Sequence, residues 1–448
     1  MAWWLQRWDT LRGSLWFIPG LGVLGALLLS VITLQIDYQL SYEKLSPPAW
    51  LITTSSAARL TLSSLAGALI TVTGVVFSMT MLTLAQTSSQ YGPRLLRSFL
   101  NQNVTQLTLA VFVGTSLYCM SVLRTIREIE EGNFFVPHLS VFVGLCLGLM
   151  SLLFFVYFIH YTASSIQAES VIRAVSYELD DAIERLFPES LGDDSDDSDA
   201  DDSASGDSDP NQEKPDSTLL IQADSIGYVQ GIDGDRLIEL ADQLDTVFYV
   251  RAKPGDYIFH GAPLLDVAKD GKDEVEEEFQ SKVRETFLTG VRRTPRQDTG
   301  CVIKELVEVA IRALSPGIND PHTAVACINS LASALSSVAG RKFPDSHRRN
   351  EEGKVRVIVQ TPTFSQLLDD CFREIRFYGA DSFLILEQLS KSLQMLSYFV
   401  QRKADAEAIR RHLKIIDSLA EQNLTIDDEK KQIFAITEEA KHCLEKIV

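Results

Sequence analysis

Closely spaced cysteines are missing from this chain. Its six cysteines (Cys119, Cys146, Cys301, Cys327, Cys371 and Cys443) stand far apart and form no C-x-x-C. That excludes a disulfide framework and the common zinc spacings, and it fits a soluble part held in a reducing compartment. Clustered bases are scarce in a chain of net charge −19, which excludes a nucleic-acid-binding face. Tryptophan is absent beyond Trp50, all five lying in the first fifty residues. Charge is wholly missing from Ser14–Leu34, Leu60–Ala85, Val104–Leu123 and Leu139–Ile159, which hold no Asp, Glu, Lys or Arg. A helix of about 20 residues at 1.5 Å per residue covers the roughly 30 Å of bilayer hydrocarbon. Four membrane-spanning helices and a large soluble C-terminal part are therefore expected, with the lipid bilayer as the first partner.

The negative charge is concentrated. Glu189–Ser217 holds twelve acids and one base, a net of −11, which leaves −8 for the rest of the chain. This Asp/Ser-rich stretch reads as a disordered acidic linker. Trp3, Trp4 and Trp8 fit a short interfacial helix ahead of the first span. The first span lacks a small-residue cleavage site and is read as retained. Basic residues flank the spans equally on both sides, so the positive-inside rule does not orient them. The termini are placed in the cytoplasm because the C-terminal part shows neither a secretion signal nor disulfides.

Five segments are expected: a transmembrane domain over 1–160, a juxtamembrane helix over 161–188, the linker over 189–217, a small β-module over 218–268 and a helical domain over 269–448. The fold class is membrane all-α joined to a cytosolic α+β part. In the juxtamembrane helix, Ile172, Val175, Leu179, Ile183 and Leu186 form one apolar stripe. In 218–268, short β-type runs are cut by Gly and Pro, and Arg236–Leu244 has helical spacing. The pairing of IQADSIGYVQGID with VFYVRAKPGDYIFHGAPLLDV resembles the two halves of a barrel-sandwich domain. No lysine lies between Ile232 and Val247, so the carrier attachment site of such domains is missing. Beyond Glu274 the pattern is helical, with one strand at Val355–Gln360.

The second apolar run is unusually polar. Gly67, Thr71, Gly74 and Ser78 form a small-residue stripe suited to close helix packing. Thr73, Thr80 and Thr87 recur every seven residues on another face, with Thr83 nearby. This face either lines a pore, with Val76, Phe77 or Met81 as an apolar constriction, or bonds its hydroxyls back to its own carbonyls in a packed helix. Gly144-x-x-x-Gly148 in the fourth run is a second close-packing stripe, and Pro19 with its neighbouring glycines is expected to kink the first. Gly20-x-Gly22-x-x-Gly25 matches a dinucleotide fingerprint by letters alone, since no strand–helix unit surrounds it.

In the soluble part, Arg292–Leu335 is the most distinctive stretch. Gly317 can end one helix in the left-handed conformation, and Asp320 followed by Pro321 can start the next. The same stretch offers a ligand site: Asn319, Asp320 and His322 gather on one corner, and Arg292, Arg293 and Arg296 can face a phosphate or an acidic lipid headgroup. A lone Asp–His pair lacks the constellation of a hydrolytic site, so no catalytic residue, cofactor or metal ligand is assigned.

RALSPGINDPHTA, the upstream RTPRQD, and SSQYGPRLLRSF after the second run together resemble the domain-of-unknown-function (DUF) 2254 family of bacterial membrane proteins. The resemblance covers essentially the whole chain except the acidic linker, and it implies a multi-span membrane protein with no established activity. The functional expectation is a homo-oligomeric, channel-like pore in the bacterial inner membrane, conducting ions along the second span and regulated by the cytosolic part. The alternative is a membrane-anchored sensor or scaffold whose cytosolic part binds a ligand or partner.

Overall fold

A computed structural model describes residues 16–42, 48, 51–92, 103–129, 133–165, 167–187, 218–268, 276–341 and 343–447. The interfacial tryptophans Trp3, Trp4 and Trp8 and the acidic linker lie outside these residues. The chain divides into two compact units, Met1–Ser170 and Val171–Val448.

Among its described residues, the first unit contains four helices long and apolar enough to cross a membrane: α1 (Phe17–Tyr42), α2 (Ser55–Tyr91), α3 (Asn103–Thr125) and α4 (His138–Ser165). A short hairpin, β1 (Arg127–Ile129) with β2 (Asn133–Phe135), joins the last two. Helix α3 is the hub, packing against each of the other three, and it is the most buried of the four. Close approach explains several small residues. A Cβ at Gly22 would lie 2.8 Å from the Ala110 Cβ, so α1 reaches α3 only through glycine. A Cβ at Gly148 would lie 2.6 Å from Leu65, and one at Gly144 would lie 3.1 Å from Leu62, so this stripe of α4 receives α2. Pro19 is the third residue of α1, in the first turn, where its missing N–H costs no helical bond. The expected mid-helix kink therefore has no basis there.

The helices outrun the charge-free stretches that announced them. Asp37 lies within α1 and Arg59 within α2, both beyond the charge-free runs. The Asp37 side chain is buried, and the reason is plain from its partners. It accepts hydrogen bonds from the Leu139 and Ser140 amides (3.0 and 2.9 Å) and from the Ser140 hydroxyl (2.7 Å). A carboxyl group on α1 thus caps the N-terminus of α4, where unpaired amides and the helix dipole favour it. Beside it, Tyr118 of α3 bonds the Thr33 hydroxyl at 2.9 Å and donates to the Ser140 carbonyl at 3.0 Å.

The second unit opens with α5 (Ala168–Leu186), whose first residues precede the division. Its stripe of Ile172, Val175, Leu179 and Ile183 is buried. The later part meets α8 (Thr299–Ala313), α9 (Pro321–Ala339) and α10 (Phe364–Tyr378) around a small apolar void lined by Leu179, Ile183, Phe187, Ile303, Leu335 and Cys371 among others. Arg341 donates to the Phe187 carbonyl at 2.8 Å, and Phe343 stacks edge-on to Phe187 at 5.1 Å under the Arg402 guanidinium. Helices α11 (Phe383–Leu396), α12 (Lys403–Asn423) and α13 (Asp427–Glu445) complete the bundle.

The described β-strands of this unit form two sheets. β3 (Thr218–Gln222), β7 (Pro263–Ala268), β5 (Phe248–Val250), β10 (Val355–Ile358) and β9 (His347–Arg349) lie in that order, with β10 parallel to β5 and the other pairs antiparallel. The antiparallel order β6 (Tyr257–Ile258), β4 (Gly227–Ile232), β8 (Phe287–Gly290) makes the second. Helices α6 (Gly234–Gln243) and α7 (Glu277–Arg284) flank them. One apolar core, including Val229, Leu237, Phe248, Leu265 and Val357, serves both sheets. The sheets thus recruit strands from outside 218–268. Arg356 ties the late strand down by bonding Asp242 and Asp245 at the end of α6 (2.5 and 2.6 Å).

Candidate functional site

Helix α2 carries two chemically distinct faces. The inward face runs through Leu62, Ala66, Leu69, Val76, Thr83 and Thr87, all buried, with Thr73 and Thr80 half-buried between them. Their spacing of three and four residues is that of a helix laid along its neighbours. Thr73 donates to the Leu69 carbonyl (2.7 Å) and Thr80 to the Val76 carbonyl (2.8 Å), so both hydroxyls are satisfied within their own helix. Thr87 is fully buried, and its Oγ1 has no hydrogen-bond partner among the described residues.

The outward face carries Ser64, Gly67, Thr71, Gly74 and Ser78, all exposed and again three and four apart. Thr71 donates to the Gly67 carbonyl at 3.0 Å. A Cβ at Gly67 or Gly74 would meet nothing within 4 Å. Phe77 lies on this side and is 50% exposed. Within one chain, then, the hydroxyl stripe is the packed one and the small-residue stripe is the open one. Ser151 of α4, following Gly144 and Gly148, donates to Thr115 of α3 at 3.3 Å.

In the second unit, the two halves of the distinctive stretch stand at opposite ends of α8, about 21 Å apart at 1.5 Å per residue. At the N-terminal end the residues form a clasp. Arg293 donates twice to Asp298 (2.7 and 2.8 Å), which is buried and caps α8 through the Cys301 amide at 3.2 Å. The Asp298 bond raises the Arg293 pKa above its ordinary value. Gln297 imitates a neighbouring strand, accepting from the Ile232 amide (2.8 Å) and donating to its carbonyl (3.1 Å). Thr294 donates to the Gln230 carbonyl at 3.2 Å. Arg292 and Arg296 are exposed.

At the other end Asp320 caps α9, accepting from the Thr323 amide (3.2 Å) and hydroxyl (2.6 Å); the hydroxyl bond holds its carboxyl below the usual range. The left-handed residue of this corner is Asn319, at φ 51°, and not Gly317. Asparagine tolerates that conformation. The side chains of Asn319 and His322 are exposed.

A buried titratable group in the bundle had no signal in the sequence. His412 of α12 is buried; Arg376 of α10 donates to its Nδ1 (2.7 Å) and its Nε2 faces Asp369 at 3.0 Å. Those partners make it a neutral imidazole with its proton on Nε2. Burial first, then the Arg376 charge, pushes its pKa down to about 4. The unfolded chain therefore binds more protons between pH 6.5 and about 4, so the stabilisation is complete above pH 6.5 and drains away as pH falls through that window. A shift of this size is worth about 3 kcal/mol. Thermal unfolding in detergent should fall steeply from pH 7 to pH 4.5, and His412→Gln should flatten that slope. An unchanged slope in the variant would rule out His412 as its source.

These features define a class: a membrane protein of four apolar helices carrying a mostly helical C-terminal unit with two small sheets. Within that class, the chain belongs to the family described as "Predicted membrane protein (DUF2254)", whose model matches residues 12–395. It is 29% identical over 447 residues to the uncharacterized proteins Rv1290c of Mycobacterium tuberculosis (strain ATCC 25618 / H37Rv) and Mb1321c of Mycobacterium bovis (strain ATCC BAA-935 / AF2122/97), covering 98% of this chain and 82% of each relative. No solved structure matches it.

Proposed function

We propose that this protein is a homo-oligomeric, channel-like protein of the bacterial inner membrane, with both termini cytoplasmic. Its copies meet around the outward face of α2, and the C-terminal unit regulates the path. The carrying observation is the chemistry of that face. A helix side left to lipid is normally covered by large apolar groups, yet here Ser64, Gly67, Thr71, Gly74 and Ser78 run along it unobstructed. Small residues let copies of α2 approach, and their hydroxyls can serve water. Phe77 supplies an apolar constriction on the same side. Thr73, Thr80, Thr83 and Thr87 stand behind this surface, buried or half-buried against the rest of the bundle.

Purified full-length protein in liposomes should pass ions. Gly74→Leu or Ser78→Leu should cut the flux by about tenfold, as a bulky group does in a constriction, while Thr73→Val should leave it nearly unchanged. A monomer without flux under any ionic or tension condition sinks the proposal.

A second reading, a membrane-anchored sensor or scaffold, is favoured by the corner around Asn319 and His322, whose side chains are exposed. It expects His322→Ala to change which proteins are cross-linked to the chain in membranes, with no liposome flux from either form.

A further inference from the structure

The three-stranded sheet β6-β4-β8 breaks the usual rule for an antiparallel sheet with one solvated face. Such a sheet alternates apolar inward with polar outward. Its inner face is ordinary: Val229, Ile258 and Phe287 are buried. Its outer face is largely apolar as well, interrupted by half-buried Gln230, whose Nε2 donates to the Arg292 carbonyl at 2.7 Å. Tyr228 pairs with Tyr257 in the ladder, the two rings meeting edge-on at 5.0 Å. The same antiparallel register sets Ile226, one residue before β4, opposite Phe259, one residue after β6. Leu288 of β8 lies on this side. Tyr257, Phe259, Ile226 and Leu288 are 58, 62, 67 and 41% exposed, and nothing among the described residues covers them. Exposed Arg292 follows β8 at the rim.

We infer that this face docks on the surface of a phospholipid bilayer, its aromatic and aliphatic side chains entering the interfacial layer and Arg292 meeting headgroup phosphate. Two arguments select lipid over a second copy. The first is composition: tyrosine and phenylalanine beside arginine is what the water–hydrocarbon boundary favours. The second is size. At roughly 100 Å² of exposed surface per side chain, five residues offer about 500 Å², short of the ~800 Å² per partner of a specific protein interface. The four spans already hold the chain at a bilayer, so a weak contact of this area is filled at high local concentration.

The test uses full-length protein in nanodiscs containing a phospholipid with a photoactivatable group near its headgroup. Adducts are expected on peptides holding Tyr257–Phe259 and Leu288–Arg292 as well as on the spans. The double substitution Tyr257→Ser, Phe259→Ser should reduce adducts on Leu288–Arg292 severalfold and leave labelling of the spans unchanged; Arg292→Glu, an exposed change that spares the fold, should do the same. Labelled spans with both sheet peptides unlabelled overturn the inference. So does protection of these strands in lipid-free detergent that rises with protein concentration, which would assign the face to a second copy.

Discussion

Asp37→Ala will lower the unfolding midpoint of the detergent-solubilised protein more than any other single change in the membrane unit. The substitution leaves the Leu139 and Ser140 amides and the Ser140 hydroxyl without their acceptor, in a place water reaches poorly. A hydrogen bond to a charged group is worth about 1.5–3 kcal/mol and a helix cap about 1 kcal/mol. The three bonds are not additive, and a loss of about 3 kcal/mol is expected. Asp37→Asn keeps one acceptor oxygen and should lose about 1 kcal/mol. The readout is the temperature at which the protein stops migrating as a monodisperse species. Equal midpoints for wild type and alanine variant would show that the cap is dispensable.

Asp298→Ala is the counterpart in the C-terminal unit. It removes the α8 cap and strands the Arg293 guanidinium, whose side chain is only 27% exposed. Breaking a paired buried charge costs about 3–5 kcal/mol. The clasp predicts a pattern as well as a size. Arg293→Lys should also destabilise, because an ammonium cannot make the two-pronged contact. Arg292→Ala, one residue away and exposed, should stay within about 0.5 kcal/mol. If Arg292 and Arg293 prove equally sensitive, the arginines serve a ligand and the clasp is not their purpose.

The four membrane helices are legible in the sequence because hydrocarbon excludes charge, and the charge-free runs mark where each one lies. Their ends are not legible. Asp37 continues α1 because its partner sits on a helix about a hundred residues later, beyond the reach of any local pattern. The faces of α2 show a related limit. Thr73 and Thr80 look water-seeking as letters, but a threonine in a helix can satisfy itself on the carbonyl four residues back and then pack as a small apolar group. The third run offers no repeat, yet it becomes the hub. Its cues were there in Gly114, Thr115, Ser116 and Tyr118, which lie on several faces of one helix, as a helix covered all round requires.

In the C-terminal unit, helices such as Phe364–Tyr378 follow directly from their apolar stripe and cap. The sheets are harder, because β10 reaches β5 only after three helices have intervened. His412 carries no sequence signal at all: its meaning depends on Arg376 and Asp369, both on another helix.

The position of Asp37 also bears on how the protein is made. Helix α1 leaves the ribosome before α4, with a carboxyl group that has no acceptor role until α4 arrives. Helices α2 and α3 can associate beforehand, and α3 can receive Gly22 of α1, but the amides that satisfy Asp37 belong to residues 139 and 140. Helix α1 is therefore made well before it is completed, and α4 closes the unit as a keystone closes an arch.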